Sequence, residues 1–136
     1  MTEATREEPV YFAHSATLRI HGQNLPLEDI TQRMGLAPTH THRAGERPRP
    51  SARSYVDDAW HLEASVDEER SLSDHLRELR RLVEPKAEYL RTLDARVDVI
   101  CGYRSNCDLG GFTVEPDALA IFAALNVPLH VSIIIA

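Results

Sequence analysis

Residues 96–114 read RVDVICGYRSNCDLGGFTV, and this stretch decides the predicted fold. Val97, Val99, Cys101 and Tyr103 recur at every second position, and all but one of the residues between them are polar or glycine, which is the period of a half-buried strand. Gly110 and Gly111 suit a tight turn, and residues 112–114 then predict a second short strand. The stretch therefore predicts a β-hairpin.

Helical patterns lie on both sides of this hairpin. Before it, leucines recur at helical spacing from a capping serine, Ser71 or Ser73, to about Leu93. After it, Pro116 suits the first turn of a helix, and Asn126 suits its end. Each strand of the hairpin is thus adjacent in sequence to one helix.

Further strands complete the predicted order. Residues 60–64 and 127–135 have strand character, so the last six elements run strand, helix, strand, strand, helix, strand. This βαββαβ order is ferredoxin-like. An additional strand at residues 10–21 and a short helix at residues 27–34 precede it. The fold class is therefore α+β, with a mostly antiparallel sheet that helices cover on one face.

The chain of 136 residues has the length of a single domain. Residues 10–136 are assigned to that domain, and the polar, acidic residues 1–9 are expected to form a disordered tail. Residues 37–57 contain several prolines and no hydrophobic period, which predicts a long loop. This loop is locally basic in an otherwise acidic chain.

Charge and composition exclude several classes of partner. Fifteen Lys and Arg against twenty-one Asp and Glu give a net charge of −6, which argues against nucleic acid and anionic membrane surfaces as partners. The apolar residues 118–136 are interrupted by polar residues and a proline, so they do not predict a membrane span. Two cysteines and the absence of a signal-peptide pattern favour a cytoplasmic protein.

The most suggestive pair of functional side chains is His40 and His42. Two imidazoles two residues apart in an extended segment can point to one ligand, and histidine is a common metal ligand. Asp57, Asp58 and His61 can complete such a site, but nothing in the spacing requires them to meet the pair. Solvated loop histidines are the favoured explanation of the pair, so no metal and no cofactor are assigned.

Other residues of this region are also candidates for binding. The loop arginines can bind an anion or an acidic partner, and Trp60 can either stack on a ligand or anchor the core. No phosphate-binding loop, zinc-protease motif or nucleophile elbow is present, so no catalytic residue is assigned. The candidate binding residues are Thr39, His40, His42, Arg43, Arg47 and Trp60.

Several short motifs, taken in order, resemble one known family. They are Ile30-Thr31-x-x-Met34-Gly35-Leu36-x-Pro38-Thr39, then Gly45, Trp60, a leucine-rich helix containing His75, and Gly111-Phe112 through Ile135. This arrangement resembles the family of domain of unknown function 4279. The resemblance implies a small cytoplasmic bacterial α+β domain with no established activity, so it supplies no catalytic residue.

The residues that match the family pattern each have a structural explanation. Gly35 can cap the helix before it, and Pro38 can fix the direction in which the chain leaves that helix. Thr39 and Gly45 suit turns, and Trp60 suits the core. The histidines and arginines of the loop are not fixed by the pattern, so the resemblance implies no role for them.

The sequence therefore predicts a small soluble bacterial protein that acts as a noncatalytic binding or protein-interaction domain. Its partner is expected to be another protein or a second copy of the chain, bound through the sheet face or the C-terminal strand, and a small-molecule ligand stays unidentified. The alternative is a small metal-dependent or other enzyme that uses the loop with His40 and His42. The sheet face expected to lie open carries His61, Glu63, Ile100, His130, Ser132 and Ile134.

Overall fold

Strands and helices alternate along residues 9–136, the part of the chain that the computed structural model describes. The predicted disordered tail lies outside the described residues except for Pro9. In chain order the elements are β1 (Phe12–Gly22), α1 (Leu27–Met34), β2 (His40–His42), β3 (Asp58–Glu63), α2 (Leu72–Val83), a 3₁₀ turn (Glu84–Lys86), α3 (Ala87–Thr92), β4 (Arg96–Ser105), α4 (Pro116–Leu125) and β5 (Leu129–Ile135).

The five strands form one mixed sheet in the order β2-β3-β1-β4-β5. The first strand is central and pairs antiparallel with β3 on one edge and β4 on the other. On the outside, β2 pairs antiparallel with β3, whereas β5 pairs parallel with β4. Because β3 and β4 both oppose β1, they run parallel to each other, and α2 and α3 connect them past the central strand.

The predicted ferredoxin-like order is not confirmed, because the predicted hairpin does not form. Residues 112–114 are not a strand, and both edges of β4 are already occupied by β1 and β5. The segment is held against α2 instead, where the Ser73 hydroxyl accepts a hydrogen bond from the Glu115 amide at 2.9 Å. A strand has only two edges, so β4 leaves no place for a hairpin partner.

The predicted loop at residues 37–57 contains one short strand. His40–His42 pairs with β3, so that Thr41 lies opposite Trp60. Three polar residues show no hydrophobic period, and the strand is therefore invisible to sequence patterning. The remainder of the segment turns back on itself, because the Gly45 amide donates to the Tyr55 carbonyl at 2.9 Å.

The α+β class is confirmed, and the core lies between the sheet and the helices. Ala16, Leu18 and Ile20 of β1 face the helices with no exposed surface. Apolar residues of all four helices join them in one buried cluster, for example Ile30, Leu76, Leu90 and Ile121. All four helices therefore cover the same face of the sheet.

Local signals at the helix ends are confirmed. Gly35 caps α1 in the left-handed conformation, with φ of 66°. The Ser71 hydroxyl accepts from the Asp74 amide at the start of α2, and α4 begins at Pro116 and ends before Asn126 in the left-handed region. No helix in residues 9–136 combines the length and the apolar character that crossing a membrane requires.

Candidate functional site: a histidine cluster on the open face

One face of the sheet carries no helix, and it is called here the open face. Side chains that alternate with the core residues point to it, as the strand pairings of His40 with His61 and of Thr17 with Glu63 show. Farther along, Ile100 lies opposite His130, and Gly102 lies opposite Ser132. The residues expected on the uncovered face therefore share that face.

Four imidazoles meet at the end of the open face formed by β1, β2 and β3. His21 belongs to β1, His61 to β3, and His40 and His42 to β2. The pairing places His40 opposite His61, and the alternation along each strand turns the four rings to the same side. These four residues are the histidine cluster.

Within the cluster the ring nitrogens contact one another in pairs. His21 Nε2 lies 2.9 Å from His61 Nε2, and His40 Nε2 lies 2.8 Å from His42 Nδ1. Two nitrogen lone pairs repel at such distances, so one member of each pair donates a proton to the other. The Nε2 atom of His42 is buried and has no hydrogen-bond partner among the described residues.

The buried carboxylate of Asp57 contacts the cluster through His21. Asp57 Oδ1 lies 3.3 Å from His21 Nδ1, and its Oδ2 accepts from Arg96 at 2.8 Å. When His21 carries its proton on Nδ1, that N–H donates to the Asp57 carboxylate. The Nε2 atom of His21 then accepts the hydrogen bond that His61 donates. The ring of Tyr55 stacks on His42, with centroids 3.4 Å apart and planes inclined by 4°.

Charges around the cluster are balanced by ion pairs. Arg19 holds Asp98 with two hydrogen bonds of 2.7 Å on the open face. Arg43 reaches the buried Asp58 at 2.9 Å, and the Ala44 amide donates to the same carboxylate at 2.8 Å. These bonds, that of Ala44 foremost, lower the pKa of Asp58. The carboxylates of Asp57, Asp58 and Asp98 are therefore each paired with an arginine.

Burial keeps part of the cluster uncharged. Desolvation, aided by the positive charge that His21 and His40 can acquire, lowers the pKa of His61 to about 4. Desolvation likewise lowers the pKa of His42. A neutral imidazole has a free lone pair, so His42 and His61 can bind a Lewis acid at neutral pH without first losing a proton.

The side chains as they stand do not form a complete metal centre. Among residues 9–136, no three histidine, cysteine or carboxylate donors are arranged to hold one ion in common. The nitrogens of the cluster point at each other in two pairs rather than at one central position. The arrangement offers lone pairs and exchangeable protons on a partly exposed polar surface.

The other candidate binding residues have structural contacts. The Thr39 hydroxyl donates to the His61 carbonyl at 3.2 Å and accepts from the Glu63 amide at 3.0 Å. Trp60 has no exposed surface, and its indole N–H donates to Thr31 at 3.0 Å. Thr39 thus fastens the loop to β3, and Trp60 occupies the core instead of facing a ligand.

Loop arginines do not gather at the histidine cluster. Arg43 is bound to Asp58 and to the Leu25 carbonyl, at 2.9 and 2.6 Å. Arg47 donates to the Ala52 carbonyl within its own loop at 3.2 Å. Both arginines therefore hold local backbone in place, and the basic loop forms no single anion site from them.

Sequence analysis missed one member of the cluster. His21 follows Thr17 and Arg19 on the polar side of the first strand, and that alternation was its only signal. Its meeting with His61 depends on the register between β1 and β3, which no local pattern reveals. His40, His42 and His61 were candidates, and the structure brings all three together.

Farther along the open face lies a shallow depression of about 370 Å³ over β1, β4 and β5. Ala13, Gly102, Arg104 and Ile134 line it. Cys101 faces away from it into the core, where burial raises the pKa of its thiol to about 11. That cysteine therefore stays protonated and is not an active nucleophile.

Comparison with known proteins gives a family but no function. No curated protein and no solved structure matches the chain. The family model described as "Domain of unknown function (DUF4279)" matches residues 11–136, a range that includes every strand and helix of the described residues. The chain therefore belongs to the DUF4279 family.

Proposed function

We propose that this protein is a noncatalytic protein-interaction domain whose partner adds a strand to the outer edge of β5. The observation that carries the proposal is the character of this edge. Among residues 9–136 nothing pairs with the side of β5 opposite β4. The edge therefore offers a row of backbone donors and acceptors to a second chain.

The side chains of β5 favour such pairing. Ile133, Ile134 and Ile135 expose 60%, 45% and 48% of their surface, and Leu129 exposes 51%. The strand has seven residues without proline, lysine or a carboxylate, the residues that usually protect an edge. An incoming strand would bury apolar surface on both faces of the sheet.

The opposite edge of the sheet is protected. There β2 has only three residues, His40–His42. A three-residue strand offers too few backbone groups for stable addition of a partner. The sheet thus has one edge suited to interaction, and it adjoins the depression that Ile134 lines.

A second copy of the chain is the partner we propose. Two β5 edges can pair antiparallel about a twofold axis, and pairing centred on Ser132 sets Leu129 opposite Ile135 and Val131 opposite Ile133. The chain carries a net charge of −6, so two copies repel each other wherever their acidic surfaces meet. Contact through β5, which contains no carboxylate, avoids that repulsion at the interface.

Sedimentation equilibrium tests the proposal directly. We expect the wild-type chain to be a dimer, and the double variant Ile133→Lys with Ile134→Lys to be a monomer, because lysine places charge on both faces of the edge. The matched control is Val56→Lys, which changes an exposed valine of the loop and should leave the dimer intact.

Hydrogen exchange locates the contact. Backbone amides of β5 that face away from β4 should exchange more slowly in the wild type than in the double variant. A wild-type chain that remains monomeric at the highest attainable concentration overturns the proposal, as does a dimer that the double variant leaves unchanged.

A second candidate function is a metal-dependent or other enzyme, and the histidine cluster favours it. Imidazoles within hydrogen-bond reach of each other can relay a proton, which is one requirement of general acid–base chemistry. A panel of model carboxylic and phosphoric esters tests this candidate. Turnover that disappears in His61→Asn but persists in His130→Asn supports it, and equal rates in the two variants exclude it.

A further inference from the structure

We propose that the histidine cluster binds one divalent transition-metal ion of the zinc type, with His21, His40, His42 and His61 as its four ligands. The inference is independent of the β5 edge, because the cluster lies at the other side of the sheet. Imidazole nitrogen is a preferred ligand of Zn²⁺, and four nitrogen donors satisfy its tetrahedral preference.

The spacing of the rings carries the inference. Five of the six ring pairs in the cluster have centroids 5.0–6.3 Å apart. Four imidazoles around a tetrahedral ion with Zn–N bonds of about 2.0–2.1 Å have centroids about 5 Å apart. Three of these separations, 5.0, 5.0 and 5.4 Å, are already close to that value, and the other two, 6.2 and 6.3 Å, have to close by roughly 1 Å.

Nitrogen contacts within the cluster support the same conclusion. The two contacts of 2.9 and 2.8 Å join ring nitrogens that compete for one proton each. A metal ion can bind the lone pairs of all four nitrogens at once, and it then takes the place of the two protons that the nitrogens share in pairs. Nitrogens on one tetrahedral ion lie about 3.3 Å apart, so each pair has to open by only about half an ångström.

Asp57 completes an arrangement that is frequent behind metal-bound histidines. Its carboxylate lies 3.3 Å from His21 Nδ1, and Arg96 holds its other oxygen. A carboxylate in this position fixes the tautomer of the ring and directs the opposite nitrogen toward the metal. His21 Nε2, the nitrogen so directed, already faces His61.

His42 is the most buried ring of the cluster. It is 8% exposed, and its Nδ1 is the nitrogen that contacts His40. An imidazole binds one ion through one nitrogen, so Nδ1 is the ligand atom of His42 and Nε2 carries the proton of the neutral ring. The stacked ring of Tyr55 limits how far His42 can turn.

Binding requires rotation of side chains but no change in the sheet. No three donors of the described residues now point to one position, so the rings must turn about their χ angles. His40 is exposed and His21 and His61 are half-buried, so they have room to do so. The proton on His61 Nε2 moves to Nδ1, which leaves a neutral ligand.

Calorimetric titration with Zn²⁺ tests the site in the full chain, purified without a polyhistidine tag and stripped with a chelator. We expect one ion per chain. His61→Asn should weaken binding by more than about 100-fold, because loss of an outer partner alone costs 10–100-fold. Asp57→Asn should fall within that lower range.

The matched control is His130→Asn, which removes an exposed histidine of the same open face outside the cluster. Its affinity for Zn²⁺ should equal that of the wild type. Co²⁺ provides a second measurement, since a tetrahedral nitrogen site gives much stronger visible absorption than an octahedral aquo ion.

Imidazole ¹⁵N spectra of the wild type keep the test independent of any variant that misfolds. Zn²⁺ should shift the signals of His21, His40, His42 and His61 and leave those of His14, His75 and His130 in place. Failure to bind one ion per chain overturns the inference, as does equal weakening in the His130 control or a weak octahedral Co²⁺ spectrum.

Discussion

At the scale of single residues, Trp60 shows how a candidate binding residue serves the core. The ring is fully buried and its N–H is bonded to Thr31. We expect Trp60→Ala to lower the free energy of unfolding by about 3–5 kcal/mol, because a large aromatic side chain leaves a cavity. Trp60→Phe should cost about 1–3 kcal/mol, chiefly through the lost hydrogen bond.

Urea unfolding followed by circular dichroism measures both changes. The comparison variant is Val56→Ala, whose side chain is 84% exposed and whose effect should be small. If Trp60→Ala unfolds at the same urea concentration as Val56→Ala, the indole does not anchor the core.

His75 is a second residue whose burial has a measurable effect. It is 1% exposed, both ring nitrogens lack a hydrogen-bond partner among the described residues, and burial lowers its pKa. In the unfolded chain His75 binds a proton near pH 6.5, whereas in the folded chain it binds one only at lower pH. The free energy of unfolding therefore decreases as the pH drops below about 6.5.

His75→Leu removes this titrating group. We expect the free energy of unfolding to decrease less between about pH 7 and about pH 5 in this variant than in the wild type. His42 and His61, whose pKa values are also lowered, contribute to the dependence that remains. Urea titrations at several pH values measure the slopes, and a slope unchanged by His75→Leu would contradict this assignment.

At the scale of elements, the segment after β4 depends on one serine of α2. Ser73 is buried, and its hydroxyl accepts from the Glu115 amide at 2.9 Å. We expect Ser73→Ala to cost about 1–3 kcal/mol, because the amide loses its partner. Amide exchange at Glu115 should accelerate more than exchange elsewhere in the chain.

Ser71→Ala is the matched comparison for that experiment. Its hydroxyl caps the same helix by accepting from the Asp74 amide at 3.2 Å, so exchange should accelerate at Asp74 instead of Glu115. Identical exchange patterns in the two variants would show that Ser73 does not hold the segment.

The same elements show what the sequence can and cannot reveal. Caps and breakers act within a few residues, which is why Gly35, Ser71 and Pro116 mark helix ends correctly. Strand pairing depends on distant edges, so the occupation of β4 by β5 was not visible in residues 96–114. His21 joins the histidine cluster through such a pairing, and the cluster was therefore only partly predictable.

At the scale of the whole molecule, the central position of β1 determines how the chain folds. Phe12 pairs with Ser105, 93 residues later, and Thr17 pairs with Glu63. Contacts so distant in sequence slow folding, so we expect refolding on the order of milliseconds or slower. Stopped-flow fluorescence of Trp60, the only tryptophan, measures the rate, and refolding complete within microseconds would contradict this expectation.

The position of β1 also matters on the ribosome. Of the five described strands β1 is synthesised first, yet one of its edges has no partner until β4, Arg96–Ser105, has emerged. Throughout that interval Ala16, Leu18 and Ile20 belong to a half-built sheet with an unpaired edge, the kind of surface that nascent chains expose to chaperones. The order of synthesis therefore makes the centre of the finished sheet its most vulnerable part during translation.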